Sequence, residues 1–402
     1  MRELTDEEFE KLGKDNTIDL EQEDFKSKEK LLESYKNIID ILKEYLDLNE
    51  DYYSIIALWI IGTYFHDKFP SYPYLFFNAM KGSGKSRTMA IITTLAKDGQ
   101  MLNSLTEAVL FRTKGTLAID EFEGVSRKGN EALRELLNSA YKKGIKVKRM
   151  KQQKTDKGTE QVVEEFDVFR PIVLANIWGM ENVLSDRCIT LILEKSNKNV
   201  VTNLIEIFRE EEIVKNTVKL LNQCSLCRCS FSVECYKKWN EYVKDIYTNN
   251  TNNTYYINNI NYTEAFKTIN LMDLNGRELE LSLPLCMVAN EISEDLLKET
   301  TLTLRTLFSS RKEEEITENL DVSLYDFVSQ EPESSAYKWE SINDLVKRFQ
   351  DFYGSSEDWI NSRWFGRALK RLNLIREKRR VGRGVSVILN IEKAKEKIKM
   401  FK

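Results

Sequence analysis

The chain has a single histidine, His66, and only six cysteines among its 402 residues. His66 lies in an apolar helical segment where packing is its expected role, so no Ser-His or Cys-His nucleophile system can be assembled elsewhere. Six cysteines in a chain of this length do not make a disulfide scaffold, and they favour a reducing compartment. The sequence therefore argues against a histidine-based hydrolase and against a disulfide-stabilised secreted module.

Long apolar runs are also missing. No stretch approaches 18 apolar residues, and the N-terminus shows no charged-apolar-small leader, which argues against a membrane span or secretion. We therefore expect an intracellular, cytoplasmic protein with no membrane partner.

Charge is distributed unevenly behind a formal net charge of −4. Residues 1–50 carry 16 acidic and 8 basic side chains, whereas residues 363–402 carry 14 basic and 3 acidic ones. Residues 1–48 have helical apolar spacing and are interpreted as an acidic helical lead-in. The basic C-terminal segment is the part expected to meet a polyanion.

Residues 79–86 read Ala-Met-Lys-Gly-Ser-Gly-Lys-Ser and lie between an apolar run, Tyr74–Phe77, and a helix-forming run, Met89–Ala96. A strand, a glycine-rich loop and a helix N-terminus together bind phosphate, because inward-turned N–H groups and the helix dipole face the anion. Lys85 would extend along the β and γ phosphates, and the Ser86 hydroxyl would ligate Mg²⁺. The pattern alone is also compatible with a solvated turn. The predicted nucleotide contacts are Ala79, Lys81, Gly82, Ser83, Gly84, Lys85, Ser86 and Arg87.

Two further apolar strands end in polar side chains. Thr116–Glu121 ends in Asp120 and Glu121, and Pro171–Asn176 ends in Asn176. Such strands belong in the middle of a parallel sheet, where ligands bind at the carboxyl edge. Asp120 would hold Mg²⁺ through water, Glu121 would orient the attacking water, and Asn176 would sense the γ-phosphate. The alternative for both carboxylates is a solvated strand end.

The order of phosphate loop, Asp-Glu strand, basic hairpin, Asn-ending strand and Ser185-Asp186-Arg187 resembles the helicase branch of the AAA+ ATPases over residues 50–310. The likeness extends to replication ATPases of plasmids, phages and genomic islands, including a group described only as a domain of unknown function. It is more distant to minichromosome maintenance proteins and superfamily III helicases. It implies an α/β fold: a P-loop AAA+ domain with a parallel central sheet and a helical lid.

Within this resemblance, residues 79–86 are similar to a Walker A loop, the Asp-Glu strand looks like a Walker B element, and Asn176 is the sensor 1 candidate. Arg187 is the arginine finger candidate, which would act on the neighbouring subunit, and its alternative is a surface salt bridge to Asp186 or Glu181. Arg277 opens the segment that resembles the lid and is the sensor 2 candidate; its alternative is a surface cap. The family assembles as rings, which implies a homo-oligomer, with a hexamer favoured.

Residues 144–150 and 162–168 alternate like two strands, joined by Lys151–Gln161. Helicase-branch rings direct the corresponding hairpin into the central channel, and mobile cations suffice for phosphate contacts. The alternative is a solvated hairpin whose charges suppress edge pairing. The predicted DNA contacts are Lys148, Arg149, Lys151, Lys154 and Lys157.

The sequence predicts an AAA+ core at 49–200 and a helical lid region at 201–312. Asn249–Tyr262 reads as a low-complexity insertion that cannot build a core of its own. Cys224, Cys227, Cys229 and Cys235 are tightly spaced and lack a second knuckle, so we expect buried thiols and no structural zinc.

After an acidic linker at 313–335, residues 336–402 predict a winged-helix domain with two helices and two strands around Val381-Gly382-Arg383-Gly384. Trp364, Phe365 and Leu369 are expected in its core. Winged helices also serve protein contacts, but the local positive charge favours DNA. The predicted DNA contacts here are Arg363, Arg367, Lys370, Arg371, Arg379, Arg380 and Arg383.

Together these patterns predict an ATP- and Mg²⁺-dependent DNA helicase or translocase, the ring-shaped replication motor of a mobile element. Single-stranded DNA would pass through the ring, and duplex or fork DNA would meet the winged helix. Two alternatives stay open: a DNA remodeller or loader that does not unwind, and an origin-binding initiator that uses ATP as an assembly switch with little turnover.

Overall fold

The computed structural model describes residues 6–79, 82–102, 105–120, 131–155, 158–176, 180, 182–196, 208–225, 233–248, 253–257, 260–274, 276–318, 320–354, 360–381 and 384–399. The chain divides into two compact units, Met1–Arg305 and Thr306–Lys402. Each unit buries its own set of apolar side chains.

A five-stranded parallel sheet forms the centre of the first unit, in the order β2-β3-β6-β1-β7. Its strands are β1 (Tyr74–Ala79), β2 (Gln100–Leu102), β3 (Leu117–Ile119), β6 (Ile172–Asn176) and β7 (Cys188–Leu193). The parallel central sheet expected from the apolar strands is confirmed. The strand β2 was not expected from the sequence. It is a short edge strand without a fully buried residue, so it lacks the apolar run that reveals a buried strand.

Helices pack around this sheet. They are α1 (Asp6–Tyr45), α2 (Glu50–Thr63), α3 (Lys85–Leu95), α4 (Glu107–Arg112), α5 (Glu131–Ala140), α6 (Asn182–Ser185), α7 (Glu212–Ser225), α8 (Val233–Tyr247), α9 (Thr263–Asn270), α10 (Gly276–Ile292) and α11 (Glu294–Glu318). The α1 helix buries Leu31, Ile38 and Leu42, so the lead-in is part of the first unit.

Helix α2 fixes the start of β1. The indole N–H of Trp59, in this helix, donates a hydrogen bond to the Pro73 carbonyl at 2.8 Å. The Tyr72 hydroxyl in turn donates to the Trp59 carbonyl at 2.6 Å. A Cβ at Gly62 would meet that hydroxyl at 2.2 Å, so only glycine lets the Tyr72 ring lie against the helix. These contacts anchor the residues that lead into the glycine-rich loop.

A long antiparallel hairpin follows α5, made of β4 (Lys146–Thr155) and β5 (Gly158–Asp167). The two strands pair over ten positions from Lys146 and Asp167 to Thr155 and Gly158. The segment Lys151–Gln161, expected as the connection, is therefore mostly strand. Its residues are almost all polar, so the apolar alternation that signals a strand fades before the pairing ends.

The segment 249–262 contains a small hairpin, β8 (Tyr256–Ile257) and β9 (Ile260–Asn261). Contrary to the expectation of a coreless insertion, two of its three tyrosines are buried: Tyr255 packs edge-on to Tyr242, and Tyr262 packs on Phe266. The Tyr255 hydroxyl also donates to Asp245 at 2.6 Å. Aromatic rings supply the buried area that the asparagines and threonines cannot.

The second unit contains the end of α11 and a three-stranded antiparallel sheet in the order β10-β12-β11. Its other elements are α12 (Leu320–Gln330), β10 (Glu340–Ser341), α13 (Ile342–Tyr353), α14 (Ser362–Arg371), β11 (Ile375–Val381), β12 (Gly384–Leu389) and α15 (Ile391–Ile398). Phe365 and Leu369 of α14 are fully buried in its core, and Trp364 packs partly against it, in line with the sequence interpretation.

The segment predicted as an acidic linker holds helix α12. Leu324, Phe327 and Val328 recur at helical spacing and lie in the core of the second unit. The acidic composition of the segment concealed this apolar face, because charged residues on the outer side of a helix do not prevent burial of the inner side.

Within the part of the chain that the structure describes, no helix combines the length and the apolar character that a membrane crossing requires.

Candidate functional site

The glycine-rich loop leaves β1 and enters α3 through two glycines in the left-handed region. Gly82 and Gly84 both have φ of 82°, and Gly84 is the N-cap of α3 without a side-chain cap. A Cβ at either glycine would meet no atom within 4 Å, so the requirement for glycine is the backbone conformation. Ala79 is buried as the last residue of β1, an extended position that alanine adopts without strain. The open, left-handed loop is suited to an anion.

Lys85 and Ser86, the first two residues of α3, converge on Asp120, which follows β3. The Lys85 ammonium lies 3.0 Å from Asp120 Oδ1, and the Ser86 hydroxyl donates to Asp120 Oδ2 at 2.6 Å. The side chains of Lys85 and Asp120 are only 14% and 13% exposed, so the pair is well shielded from solvent screening. Two adjacent residues and a third that lies 34 positions beyond Ser86 thus form one cationic, hydroxylic and anionic cluster.

Sheet order explains this convergence. The strands β1, β6 and β3 are adjacent and parallel, so their carboxyl ends meet at one edge. Asn176 ends β6, pairs in register with Asn78 of β1, and is 2% exposed. The loop, Asn176 and Asp120 therefore share the edge that the sequence predicted. Lys81 and Glu121 lie outside the described residues.

Ser83 and Arg87 lie on either side of Lys85 and Ser86. Ser83 Oγ is buried with no hydrogen-bond partner among the described residues, a polar atom that ordinarily bonds something. The Arg87 guanidinium donates to the Tyr45 carbonyl at 3.4 Å, which ties α3 to the end of α1.

A cavity of about 390 Å³ lies just beyond the carboxyl end of β7. Leu193, the last residue of β7, pairs with Ala79, so this cavity opens on the same edge as the loop. It is lined by Asp47, Leu48, Asn49, Tyr52, Ile192, Glu194, Lys195 and Ser196.

Arg187 and Arg277 come together around one aromatic ring, that of Tyr141. The guanidinium of Arg277 lies 4.7 Å and that of Arg187 lies 5.4 Å from the ring centroid. Arg187 also donates to the Asn138 carbonyl at 2.9 Å. Arg277 pairs with Glu280 at 2.8 Å and lies 3.6 Å from Asp186. The sequence analysis assigned no role to the Tyr141 side chain, because no spacing pattern indicates that its ring contacts the two arginines.

This arginine pair lies at the opposite edge of the sheet from the glycine-rich loop. The Tyr74 N–H, at the start of β1, donates to the Arg187 carbonyl at 3.0 Å. The loop begins after Ala79, at the other end of the same strand, about 16 Å away. Arg187 therefore cannot reach the loop of its own chain.

Two of the predicted hairpin cations are paired with carboxylates. Lys148 lies 3.2 Å from Glu165, and Arg149 lies 2.6 Å from Glu107. Lys148 and Lys146 both donate to Glu165 and hold the pKa of that carboxyl below its usual value. Lys151 and Lys154 occupy strand positions opposite Val162 and Thr159, and Lys157 lies outside the described residues.

The second unit carries its cations differently. Arg363, Arg367 and Lys370 recur along one exposed face of α14, and within the described residues no carboxylate pairs with them. Arg380 is likewise exposed on β11 without such a partner, whereas Arg379 lies over the Trp339 ring at 4.1 Å. Arg371, in the last turn of α14, is also exposed, and Arg383 lies outside the described residues.

The remaining candidates are His66, which is half-buried, and the cysteines. His66 Nδ1 bonds the Thr63 carbonyl at 2.9 Å, and burial lowers the pKa of its ring. Cys224 and Cys235 are buried thiols, while Cys227 and Cys229 lie outside the described residues. The described residues contain no group of three or more metal-ligating side chains.

No protein-family profile matches the chain, and no curated protein matches it. Among solved structures, it is similar to one described as the A form apo structure of NrS-1 C terminal region-CTR. The identity is 11%, the TM-score is 0.38, and the match covers 89% of this chain and 75% of that one.

Proposed function

We propose that the first unit is a P-loop ATPase of the AAA+ type that binds ATP with Mg²⁺ on residues 79–86 and hydrolyses it. The observation that carries this proposal is the convergence of Lys85 and Ser86 on Asp120 beside a loop whose two glycines are in the left-handed region. In an isolated solvated turn these side chains would have no common partner. Here both contact one shielded carboxylate, the grouping of lysine, hydroxyl and carboxylate that a site for phosphate and metal uses.

The donor set suits magnesium. Ser86 contributes a hydroxyl and Asp120 a carboxylate, both hard oxygen donors of the kind that Mg²⁺ prefers. Bound there, the ion would neutralise charge on the β and γ phosphates. Lys85 would exchange its contact with Asp120 for the phosphates, and the loop N–H groups together with the Ser83 hydroxyl would bind the phosphate oxygens. The cavity beyond β7 has room for part of a nucleoside.

Hydrolysis needs an ordered water at the γ-phosphate. Asn176, at the end of β6, is suited to orient that water or sense the phosphate, and Glu121 is the residue proposed to polarise it. Because Arg187 and Arg277 lie at the far edge of the sheet, we propose that both act on the nucleotide of a neighbouring copy. That arrangement requires a ring or other head-to-tail oligomer.

DNA is the proposed partner of the second unit. Its α13, α14 and β11-β12 hairpin support a winged-helix interpretation, with α14 as the helix that meets the duplex. Arg363, Arg367 and Lys370 pair with no carboxylate of the described residues, and this supports phosphate contact by α14. The hairpin β4-β5 remains the proposed channel contact, although Lys148 and Arg149 would first have to leave Glu165 and Glu107.

ATP-driven strand displacement tests the helicase proposal. Incubated with a forked duplex, Mg²⁺ and ATP, the chain is expected to release one strand, and to release none with a non-hydrolysable ATP analogue. Hydrolysis without displacement would favour a remodeller or loader. Protection of one short duplex sequence, with little hydrolysis, would favour an origin-binding switch.

Removing the α14 cations is expected to weaken duplex binding. The triple variant Arg363→Gln, Arg367→Gln and Lys370→Gln should lose about three phosphate contacts. The slope of the logarithm of the association constant against the logarithm of salt concentration should become shallower by about 2 to 3, and duplex affinity should fall at least about tenfold. Fluorescence anisotropy at several salt concentrations measures both quantities.

A matched control removes three first-unit lysines that are at least partly exposed and are paired with carboxylates. In Lys238→Gln, Lys267→Gln and Lys298→Gln, each lost cation has a glutamate or aspartate partner three residues away. This control should keep the wild-type slope. Equal slopes for the α14 variant and the wild type would contradict the assignment of α14 to the duplex.

A further inference from the structure

Two aromatic side chains precede β10, and each has an arginine over its ring. The Arg379 guanidinium lies 4.1 Å from the Trp339 ring centroid, and that of Arg376 lies 5.9 Å from the Tyr337 ring. Tyr337 is 78% exposed, so its ring adds little to the core of the second unit. A single exposed tyrosine is ordinary. Here two aromatic rings lie two residues apart, and each has an arginine guanidinium over it, so the same aromatic–arginine pair occurs twice on one small surface.

The sheet register assigns the Trp339 pair to the outer face of the sheet. Arg379 pairs in register with Ser386, and Ser386 pairs with Ser341 of β10. The next residue along β12, Val387, is fully buried in the core. Because successive side chains of a strand alternate between faces, Arg379 and the Trp339 ring it covers lie on the face away from the core.

Two arginines, Arg376 and Arg379, supply the positive charge of this surface. Glu377, which pairs in register with Ile388 two residues before Arg379, is an exposed carboxylate on the same face. Arg376 has an ion pair with Glu392 at 2.8 Å, but the carboxylate is 80% exposed, and such surface pairs contribute little. Two arginines that can bind backbone phosphates therefore lie over the two rings on which planar groups can stack.

We infer that this outer sheet surface, defined by Tyr337, Trp339, Arg376 and Arg379, binds single-stranded DNA by stacking unpaired bases. Base stacking on aromatic rings together with cationic backbone contacts is the physical basis of single-strand binding. Tyr337 offers an open ring face, and the arginines lie within reach of the flanking phosphates. The inference rests on the proposed DNA-binding function of the second unit and adds a single-strand site to the duplex contact of α14.

Loss of a stacking ring and loss of a cation change the salt dependence of DNA affinity differently, so the two kinds of contact can be told apart by experiment. With the full chain, no nucleotide and a labelled mixed-sequence strand of about 16 nucleotides, Tyr337→Leu should weaken single-strand binding about tenfold. The salt slope should stay as in the wild type, because a lost stack releases no counterions. Tyr337→Phe should bind like the wild type, and binding to a blunt duplex should change less than about twofold. Fluorescence anisotropy measures all of these affinities.

Tyr247→Leu is the matched control, because Tyr247 is 84% exposed and lies in the first unit. It should leave both affinities unchanged. Unchanged single-strand binding by Tyr337→Leu, or equal losses on single strand and duplex, would overturn the inference while the DNA-binding proposal stands. A wild-type chain that binds neither substrate would overturn both.

Discussion

Replacing Lys85 by methionine is expected to lower steady-state ATP hydrolysis at least about a hundredfold. The ammonium that now contacts Asp120 at 3.0 Å is the cation proposed to stabilise charge on the β and γ phosphates. Loss of one preorganised group that stabilises transition-state charge costs about 10²-fold to 10³-fold in rate. Release of inorganic phosphate, measured at saturating Mg²⁺ and ATP, gives the result.

Lys97→Met is the control for this variant. Lys97 comes just after the other end of α3, where its ammonium bonds Asn222 at 2.8 Å, so the same chemical change falls outside the proposed site. The control should hydrolyse ATP at the wild-type rate. Circular dichroism establishes that both variants are folded. Wild-type turnover by a folded Lys85→Met protein would contradict the phosphate role of Lys85.

Removing Arg187 is expected to lower hydrolysis by about a thousandfold, because an arginine donated to the transferred phosphoryl group is worth 10³ or more in rate. The guanidinium is held by the Asn138 carbonyl and the Tyr141 ring, at the edge of the sheet opposite to its own loop. Arg187→Ala should therefore disable the site of the neighbouring copy and leave its own loop intact. Phosphate release by the folded variant measures the loss.

Mixing two inactive variants separates action on a neighbour from action within one chain. Arg187→Ala retains its own loop, and Lys85→Met retains its own Arg187. In an equimolar mixture that assembles at random, about a quarter of head-to-tail interfaces combine both intact parts, so hydrolysis should reappear. The control is Arg209→Ala. Arg209 donates to the Thr94 hydroxyl and lies outside the proposed site, so this variant should hydrolyse ATP without a second variant. A mixture no more active than its components would contradict action on the neighbour.

The sequence predicted the part of the site that depends on local pattern. Small residues around Lys85, an apolar strand before Asp120 and another before Asn176 are local signals, and the rule that parallel strands share a carboxyl edge brought them together. The structure confirms the parallel sheet. It also shows Lys85 and Ser86 in contact with Asp120, while their roles toward phosphate and Mg²⁺ stay predictions.

Other features depend on contacts between distant segments, which local pattern does not carry. Tyr141 joins Arg187 and Arg277 only because α5, β7 and α10 meet in space. The buried tyrosines around β8 and β9 were hidden by neighbouring asparagines, and the helix α12 by its acidic residues. Tyr337 and Trp339 could be interpreted only from the sheet register, because the register determines the face of the sheet on which Arg379 lies.

Steady-state ATP hydrolysis by the purified chain, measured with and without single-stranded DNA, shows whether this chain is a DNA-responsive ATPase. We expect Mg²⁺-dependent hydrolysis that rises with DNA, and stimulation that weakens as salt increases because phosphate contacts are screened. Hydrolysis no higher than that of the Lys85→Met variant under any of these conditions would contradict an ATPase role for this chain.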